Sequence, residues 1–411
     1  MINLFFVIHD YSGARTYANE LLGYLASQHE IALYKVYLES SYHKEFTQIE
    51  DGNILSIHIP KIKRGSGTLK KYAARCIDLM EPLLREKSDI IFHLNYSTQV
   101  KLGVNAREKF GAKLIYTLHI LPNYFSFLGY DDDWQVNLKT TGDALEREMF
   151  AEADRVICVT HFAKEAICRY YETSLQKVEA IHNGFSSFTD SPEITGESVK
   201  TIKKALGFGE NEKIILFVGL IEPRKGLNFL IKSFNQITGM FPAARLVIAG
   251  DGDFKETLSN VNRCWSKVTF TGKIPYNELE IFYKIATVGV IPSVYEQCSY
   301  VALEMMKYGL PVVVAAAPGL RELYTHGENA LVVPLHKADN DLMKLDLYED
   351  ELTEALATML NDKALQQKLS KNARSRWEQS YTAENMGDAT IEQYKKLLTQ
   401  KKESTNKNNI Y

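Results

Sequence analysis

The sequence predicts an α/β chain made of two doubly wound parallel sheets, and three observations carry that expectation. At 411 residues the chain exceeds what one hydrophobic core usually serves, so two domains are expected. Short apolar runs alternate with amphipathic helical patterns through the first half, the mark of a parallel sheet covered on both faces. From Lys213 the alternation starts afresh, with Ile214-Ile-Leu-Phe-Val-Gly219 reading as a new first strand and turn.

In the first half, strands are expected at 3–8, 31–37, 54–58, 90–94, 113–117, 155–159 and 178–181, with helices at 14–27 and 69–86 among the connections. The domain closes near Ile181-His-Asn-Gly-Phe185, and residues 186–198, rich in Ser, Thr, Pro and Gly, suit a hinge. In the second half the strand-turn patterns are 214–219, 245–253 and 268–275, then a strand at 288–291 and another after Gly309-Leu-Pro. Two helices are expected over 349–380 and a last one at 383–399, with a polar tail over 401–411 expected to be disordered.

Composition narrows the class. An apolar content of 45% with 24% charged residues describes an ordinary soluble globular protein, and a net charge of −3 argues against wholesale nucleic-acid binding. The five cysteines are odd in number and scattered without metal spacing, which suits reduced thiols in a cytoplasm. The opening residues lack the basic start and small-residue cleavage site of a signal peptide. The longest uncharged run, 114–130, is broken by His119, Pro122, Asn123 and Gly129 and is not expected to span a bilayer.

The chain is organised around residues 292–309. The strand ending at Ile291 runs into Pro292 and a polar turn, then into a helix expected to start near Ser299 and stop at Gly309. Ser299 is a competent N-cap, and the first amides after it, Tyr300, Val301 and Ala302, lack intrahelical partners and so favour an anion. Glu296 precedes that helix and Glu304 lies within it, so two carboxylates can sit on opposite sides of a phosphate held at the helix end. That arrangement suits a nucleotide sugar. In the loop Leu220-Ile-Glu-Pro-Arg-Lys-Gly226, two positive charges lie beyond a strand end. Arg224 can fork onto phosphate oxygens and Lys225 can act as a point charge.

These residues in this order resemble the retaining glycosyltransferases of family four, the glycogen-synthase-like group 1 enzymes of GT-B architecture. The signature is a glutamate, seven residues and a second glutamate, here Glu296-Gln-Cys-Ser-Tyr-Val-Ala-Leu-Glu304, and the resemblance is closest over 213–335. Where the family usually has Phe-Gly, this chain has Cys298-Ser299, which puts the fit around the sugar in question. The resemblance implies two Rossmann-like domains with a cleft between them: an acceptor domain over 1–190, a donor domain over 191–382 and a helix over 383–400 crossing back to the first. It implies that Glu296 lies beside the donor sugar, that the Ser299, Tyr300 and Val301 amides hold the distal phosphate, and that Glu304 bonds the ribose. Lys273 and Ile274 would lie against the nucleobase through their main chain. Arg224 and Lys225 would neutralise the departing diphosphate, Arg224 standing in for an arginine that relatives often place where this chain has Leu220. Gly13, in the loop after the first strand, would face the donor phosphates and acceptor, although relatives commonly have a glycine pair there. A histidine in the place of His119 commonly contacts the donor sugar's outer hydroxyl or the reacting region. The implied activity is retaining transfer from a UDP- or GDP-sugar to a glycan, lipid-linked or peptide acceptor, with no cofactor beyond that co-substrate and no metal. Two alternatives stay open: a non-catalytic GT-B subunit that binds glycan or peptide in a glycosylation complex, and a sugar-nucleotide epimerase.

Other features carry two readings each. His93 also ends a strand and reads as a satisfied core group, while His119 reads equally as a core group or as a site residue. Asp131-Asp132-Asp133 fits a solvated loop better than a cation site. The aromatic loop with Tyr124, Phe125, Phe127, Tyr130 and Trp134 is either an acceptor lid or sheet packing. The basic segment 61–75, with Lys61, Lys63, Arg64, Lys70, Lys71 and Arg75, is either a solvated helix end or a peripheral contact with an anionic acceptor or the inner face of a membrane.

Overall fold

In the computed structural model the described residues are all but 10–13, 41, 62–67, 122–140, 187–195, 262–263, 339–340 and 409–411. The chain divides into two compact units, Met1–Ser186 together with Ala383–Tyr411, and Ser187–Thr382. Gly13, the aromatic loop residues Tyr124 to Trp134, Asp131–Asp133, Lys63, Arg64 and most of the expected hinge fall outside the described residues.

The first unit runs β1 (Ile2–His9), α1 (Arg15–Leu25), β2 (Ile31–Ser40), β3 (Thr47–Asp51), β4 (Ile54–Pro60), α2 (Thr68–Leu84), β5 (Ile90–Leu94), α3 (Val100–Phe110), β6 (Lys113–Leu118), α4 (Thr141–Glu152), β7 (Arg155–Cys158), α5 (His161–Tyr170) and β8 (Val178–Ala180). Its strands form one eight-stranded sheet in the order β3-β4-β2-β1-β5-β6-β7-β8. Every neighbouring pair is parallel except β3 with β4. Strands β1 and β5 are buried almost throughout, as expected for strands covered on both faces. The order reverses at β1, which has β2 on one side and β5 on the other. Loops leaving the carboxyl ends of such strands diverge and open a binding crevice.

Strand β3 was not expected, because Thr47-Gln-Ile-Glu-Asp51 is a largely exposed edge strand with a single large apolar residue. Helix α14 (Ala383–Asn408) completes this unit. Its Gly387 lies against the Tyr24 ring of α1, where a Cβ would come within 2.0 Å of a ring carbon. The Tyr24 hydroxyl donates to Asp388 at 2.6 Å. The helix continues to Asn408, past the expected start of a disordered tail at 401, over a stretch containing the helix formers Lys401, Lys402 and Glu403.

The second unit begins with α6 (Gly196–Ala205) and continues β9 (Lys213–Val218), α7 (Leu227–Met240), β10 (Ala244–Ala249), α8 (Phe254–Asn260), β11 (Val268–Gly272), α9 (Tyr276–Ile285), β12 (Val288–Ile291), α10 (Tyr300–Lys307), β13 (Val312–Ala315), α11 (Pro318–Leu323) and β14 (Leu331–Val333). These strands form a six-stranded parallel sheet in the order β11-β10-β9-β12-β13-β14. A two-stranded antiparallel ribbon, β15 (His336–Ala338) with β16 (Asp341–Asp346), follows and was also unexpected. Helices α12 (Glu349–Asn361) and α13 (Lys363–Ser380) close the unit. Its core gathers Ile215 and Phe217 of β9, Leu230 and Phe234 of α7, Leu246 of β10, Val290 of β12 and Leu356 of α12. Here the order reverses at β9, between β10 and β12, so the loops after β9 and β12 emerge side by side. Among the described residues, no helix is long and apolar enough to cross a membrane.

Candidate active site

In the second unit the loop after β9, residues 219–226, meets the loop after β12, residues 292–299. The Val294 amide donates to the Arg224 carbonyl at 3.0 Å. Gly226 makes this approach possible: its φ is +70°, and a Cβ there would lie 1.9 Å from the Pro292 carbonyl oxygen. The Lys225 ammonium donates to Glu296 Oε1, the two side chains being only 18% and 9% exposed. Arg224 pairs with Glu222 at 2.7 Å, and its guanidinium lies 5.7 Å from the centre of the Tyr295 ring. The loop carrying Glu296 is backed by the first turn of α11, where a Cβ on Gly319 would lie 1.7 Å from the Gln297 carbonyl oxygen.

Helix α10 starts where the sequence places it. Ser299 is its N-cap residue, with extended backbone and no capping hydrogen bond from its side chain, and Gly309 follows its end at φ +58°. Glu304, in the second turn, is buried and accepts from the Tyr283 hydroxyl of α9. The Tyr283 ring stacks on Tyr308, centroids 5.4 Å apart. Burial, reinforced by the Glu304 charge, pushes the Tyr283 phenol well above its usual range, so it remains a neutral donor. Lys273 is exposed and Ile274 half-buried in the turn after β11, which is tied to the preceding turn by the Gly250 amide donating to the Gly272 carbonyl at 3.0 Å.

In the first unit His119 follows β6, and its Nε2 lies 2.9 Å from Oδ1 of Asn95, the residue following β5. The Tyr17 ring of α1 meets the imidazole edge-on at 4.6 Å. Burial pushes the His119 pKa down to about 3. His93 is fully buried between the Tyr394 hydroxyl at 2.7 Å and Thr117 Oγ1 at 2.6 Å, and burial, with a smaller effect of His119, lowers its pKa to about 3. His93 is thus a satisfied core group.

Of the residues singled out in the sequence, Arg224, Lys225, Glu296, Ser299, Tyr300, Val301 and Glu304 fall on two adjoining loops and the helix that follows. Lys273 and Ile274 belong to the β11 turn, and His119 to the first unit. Sequence reasoning missed Glu222, Tyr283, Gly319, Tyr17 and Asn95. Apart from Glu222, whose partner Arg224 is two residues on, their partners lie elsewhere in the chain, with Tyr283 21 residues from Glu304 and Asn95 24 from His119, so no local pattern announces them.

Two parallel-sheet units of this kind, the second with its charged loops at the strand ends, make this a GT-B fold. Sucrose-phosphate synthase from Thermosynechococcus elongatus is similar over 97% of this chain and 100% of its own, with a TM-score of 0.74 and 21% identity. The Anabaena protein HepE, solved in complex with UDP-glucose, is similar over 97% of this chain and 100% of its own, with a TM-score of 0.70 and 17% identity. The family model described as glycosyl transferases group 1 matches residues 198–376, and that of glycosyltransferase family 4 matches residues 11–187. Together they span most of the chain, which belongs to the group 1 glycosyltransferases of family four. Among curated relatives, an uncharacterized glycosyltransferase of Methanocaldococcus jannaschii is 32% identical over 257 residues, 61% of this chain. A D-inositol 3-phosphate glycosyltransferase of Kribbella flavida is 27% identical over 296 residues, 69% of this chain. The chain spans 62% and 66% of the lengths of these two relatives.

Proposed function

We propose that the protein transfers a sugar, with retention at the anomeric carbon, from a nucleotide diphosphate sugar to a glycan, lipid-linked or peptide acceptor, without a metal. The observation that carries this reading is the Lys225–Glu296 pair, set by two adjoining loops just before the helix that bears Glu304. Departure of a nucleoside diphosphate demands neutralisation of its developing charge more than a strong base. Lys225 and Arg224 supply fixed positive charge, and each well-aimed group contributes about 3 kcal/mol to such a transition state. Glu296 orients the sugar and steadies positive charge on its ring, and Glu304 holds ribose. The UDP-glucose complex of the Anabaena protein supports a nucleotide-sugar donor. The relatives acting on D-inositol 3-phosphate make that polyol phosphate a compound to include among acceptors.

Calorimetry with UDP and GDP, followed by mass spectrometry of products from a panel of nucleotide sugars with and without acceptors and with a chelator present, tests the reading. The expected result is nucleotide binding and acceptor-dependent transfer with a retained anomer, insensitive to the chelator. Donor turnover without acceptor would favour an epimerase, and failure to bind either nucleotide would favour a non-catalytic subunit.

A further inference from the structure

The histidine at the end of β6 is governed by a residue that the proposed reaction does not require by itself. Parallel neighbours β5 and β6 end at Leu94 and Leu118, and Asn95 and His119 are the next residues on each. Asn95 Nδ2 lies 3.0 Å from the Val7 carbonyl oxygen of β1. Only an NH₂ group suits that position, because a flipped amide would set two acceptors against each other. Asn95 Oδ1 therefore faces His119 Nε2 at 2.9 Å, and an acceptor there requires Nε2 to carry the proton. The amide group cannot easily turn. Asn95 is 3% exposed, and the backbone amides of Asn95 and Tyr96 both donate to Oε1 of the buried Gln99, at 2.8 and 3.2 Å.

We infer that Asn95 is a positioning residue that fixes His119 as the Nε2–H tautomer, with its lone pair on Nδ1. The inference rests on the functional reading above and deepens it. In this state Nδ1 accepts a hydrogen bond from a hydroxyl and offers nothing to a phosphate or carboxylate oxygen. The ring plane is set from the other side by Tyr17, whose hydroxyl lies 3.3 Å from Thr117 Oγ1. Among the described residues, the titratable groups facing His119 are Tyr17 of α1 and His93 of β5, itself against Tyr394 of α14. Burial holds both tyrosines protonated and His93 neutral near neutral pH, so none of them supplies a charge that would draw a second proton onto His119.

Nitrogen-15 NMR of the imidazole rings, with His119 assigned by its disappearance in His119→Gln, reads the tautomer in the wild-type protein without any turnover. Nε2 should be protonated and Nδ1 bare from pH 8 down to pH 5. An Nδ1–H tautomer, or an imidazolium within that range, would overturn the inference. Asn95→Leu removes the acceptor and should lower kcat/KM about tenfold with a flat pH profile. Asn95→Asp keeps an acceptor but stabilises the imidazolium, so its kcat/KM should gain an acidic limb near neutral pH that the wild type lacks. Wild-type rates and profiles in both variants would also overturn the positioning role. Absence of transfer by the wild type would sink the functional reading alone and leave the NMR result to decide the tautomer.

Discussion

Gly319→Ala offers a test of how tightly the Glu296 loop is held, because the substitution adds one methyl group and no charge. Gly319 is buried in α11, and the added carbon would stand 1.7 Å from the Gln297 carbonyl oxygen and 2.7 Å from that of Glu296. An ordinary carbon–oxygen contact is about 3.4 Å, so one backbone must retreat by roughly 1.7 Å. The neighbours are main-chain atoms and cannot simply rotate aside. A misplacement of about 1 Å in a reacting group costs on the order of 100-fold in rate, so kcat/KM should fall by about that factor. Overpacking should also cost about 1–3 kcal/mol, a melting point lower by roughly 2–12 °C for a unit of this size. Gly239→Ala in α7 is the control: no atom lies within 4 Å of its added carbon, and alanine is the better helix former. Steady-state kinetics and thermal unfolding of both variants decide the matter. Wild-type kinetics and melting in Gly319→Ala would refute the claim that Gly319 sets the position of Glu296.

Three further outcomes are expected. Lys225→Ala should lower kcat about 100-fold, with a smaller change in KM, if the ammonium acts on the leaving diphosphate; the split between kcat and KM in donor-saturation kinetics checks this, and a pure KM effect would count against it. Tyr283→Phe removes the donor to Glu304 and should raise the donor KM several-fold, about 1 kcal/mol, with little change in kcat, which donor titration in the two proteins would show. Finally, His93 is held neutral to about pH 3 when folded, against 6.5 when unfolded. Its contribution to stability is therefore complete above about pH 6.5 and is lost as pH falls, because only the unfolded chain takes up the proton. By pH 5 the loss should reach about 2 kcal/mol. Urea midpoints that stay level from pH 7 to pH 5 would contradict a buried neutral His93.

The sheets were legible because burial on both faces leaves continuous apolar runs, and β5 begins and ends where Ile90-Ile-Phe-His-Leu94 does. Helix α10 was legible because Ser299 and Gly309 punctuate it, although the Ser299 side chain does not cap it. Strand β3 escaped because its residues are held by pairing with β4 rather than by burial, so the hydrophobic pattern is weak there. The site was legible as a set of charges but not as a set of pairs. Lys225 and Glu296 are 71 residues apart, and what brings them together is the adjacency of β9 and β12, a property of strand order that no local window contains. Asn95 was invisible for the same reason: its hydrogen bonds come from the neighbouring strand ends of β1, β5 and β6.

That strand order also accounts for how these loops accommodate strong charges close together. A lone ammonium or carboxylate shielded from water is costly, and removing one member of such a pair leaves the other uncompensated. Lys225 and Glu296, 18% and 9% exposed, give each other the opposite charge that such burial demands, while the more exposed Arg224 pairs with Glu222. On the proposed reading, a diphosphate presents Lys225 with more negative charge than Glu296 does, so the ammonium turns toward the phosphate and the carboxylate is released to the sugar. Donor arrival and the freeing of Glu296 would then be one event. A Glu296→Gln variant separates the two, since it frees Lys225 in advance: its donor affinity should hold or rise while its kcat falls, and a loss of affinity would show that Glu296 anchors the donor instead of waiting for it.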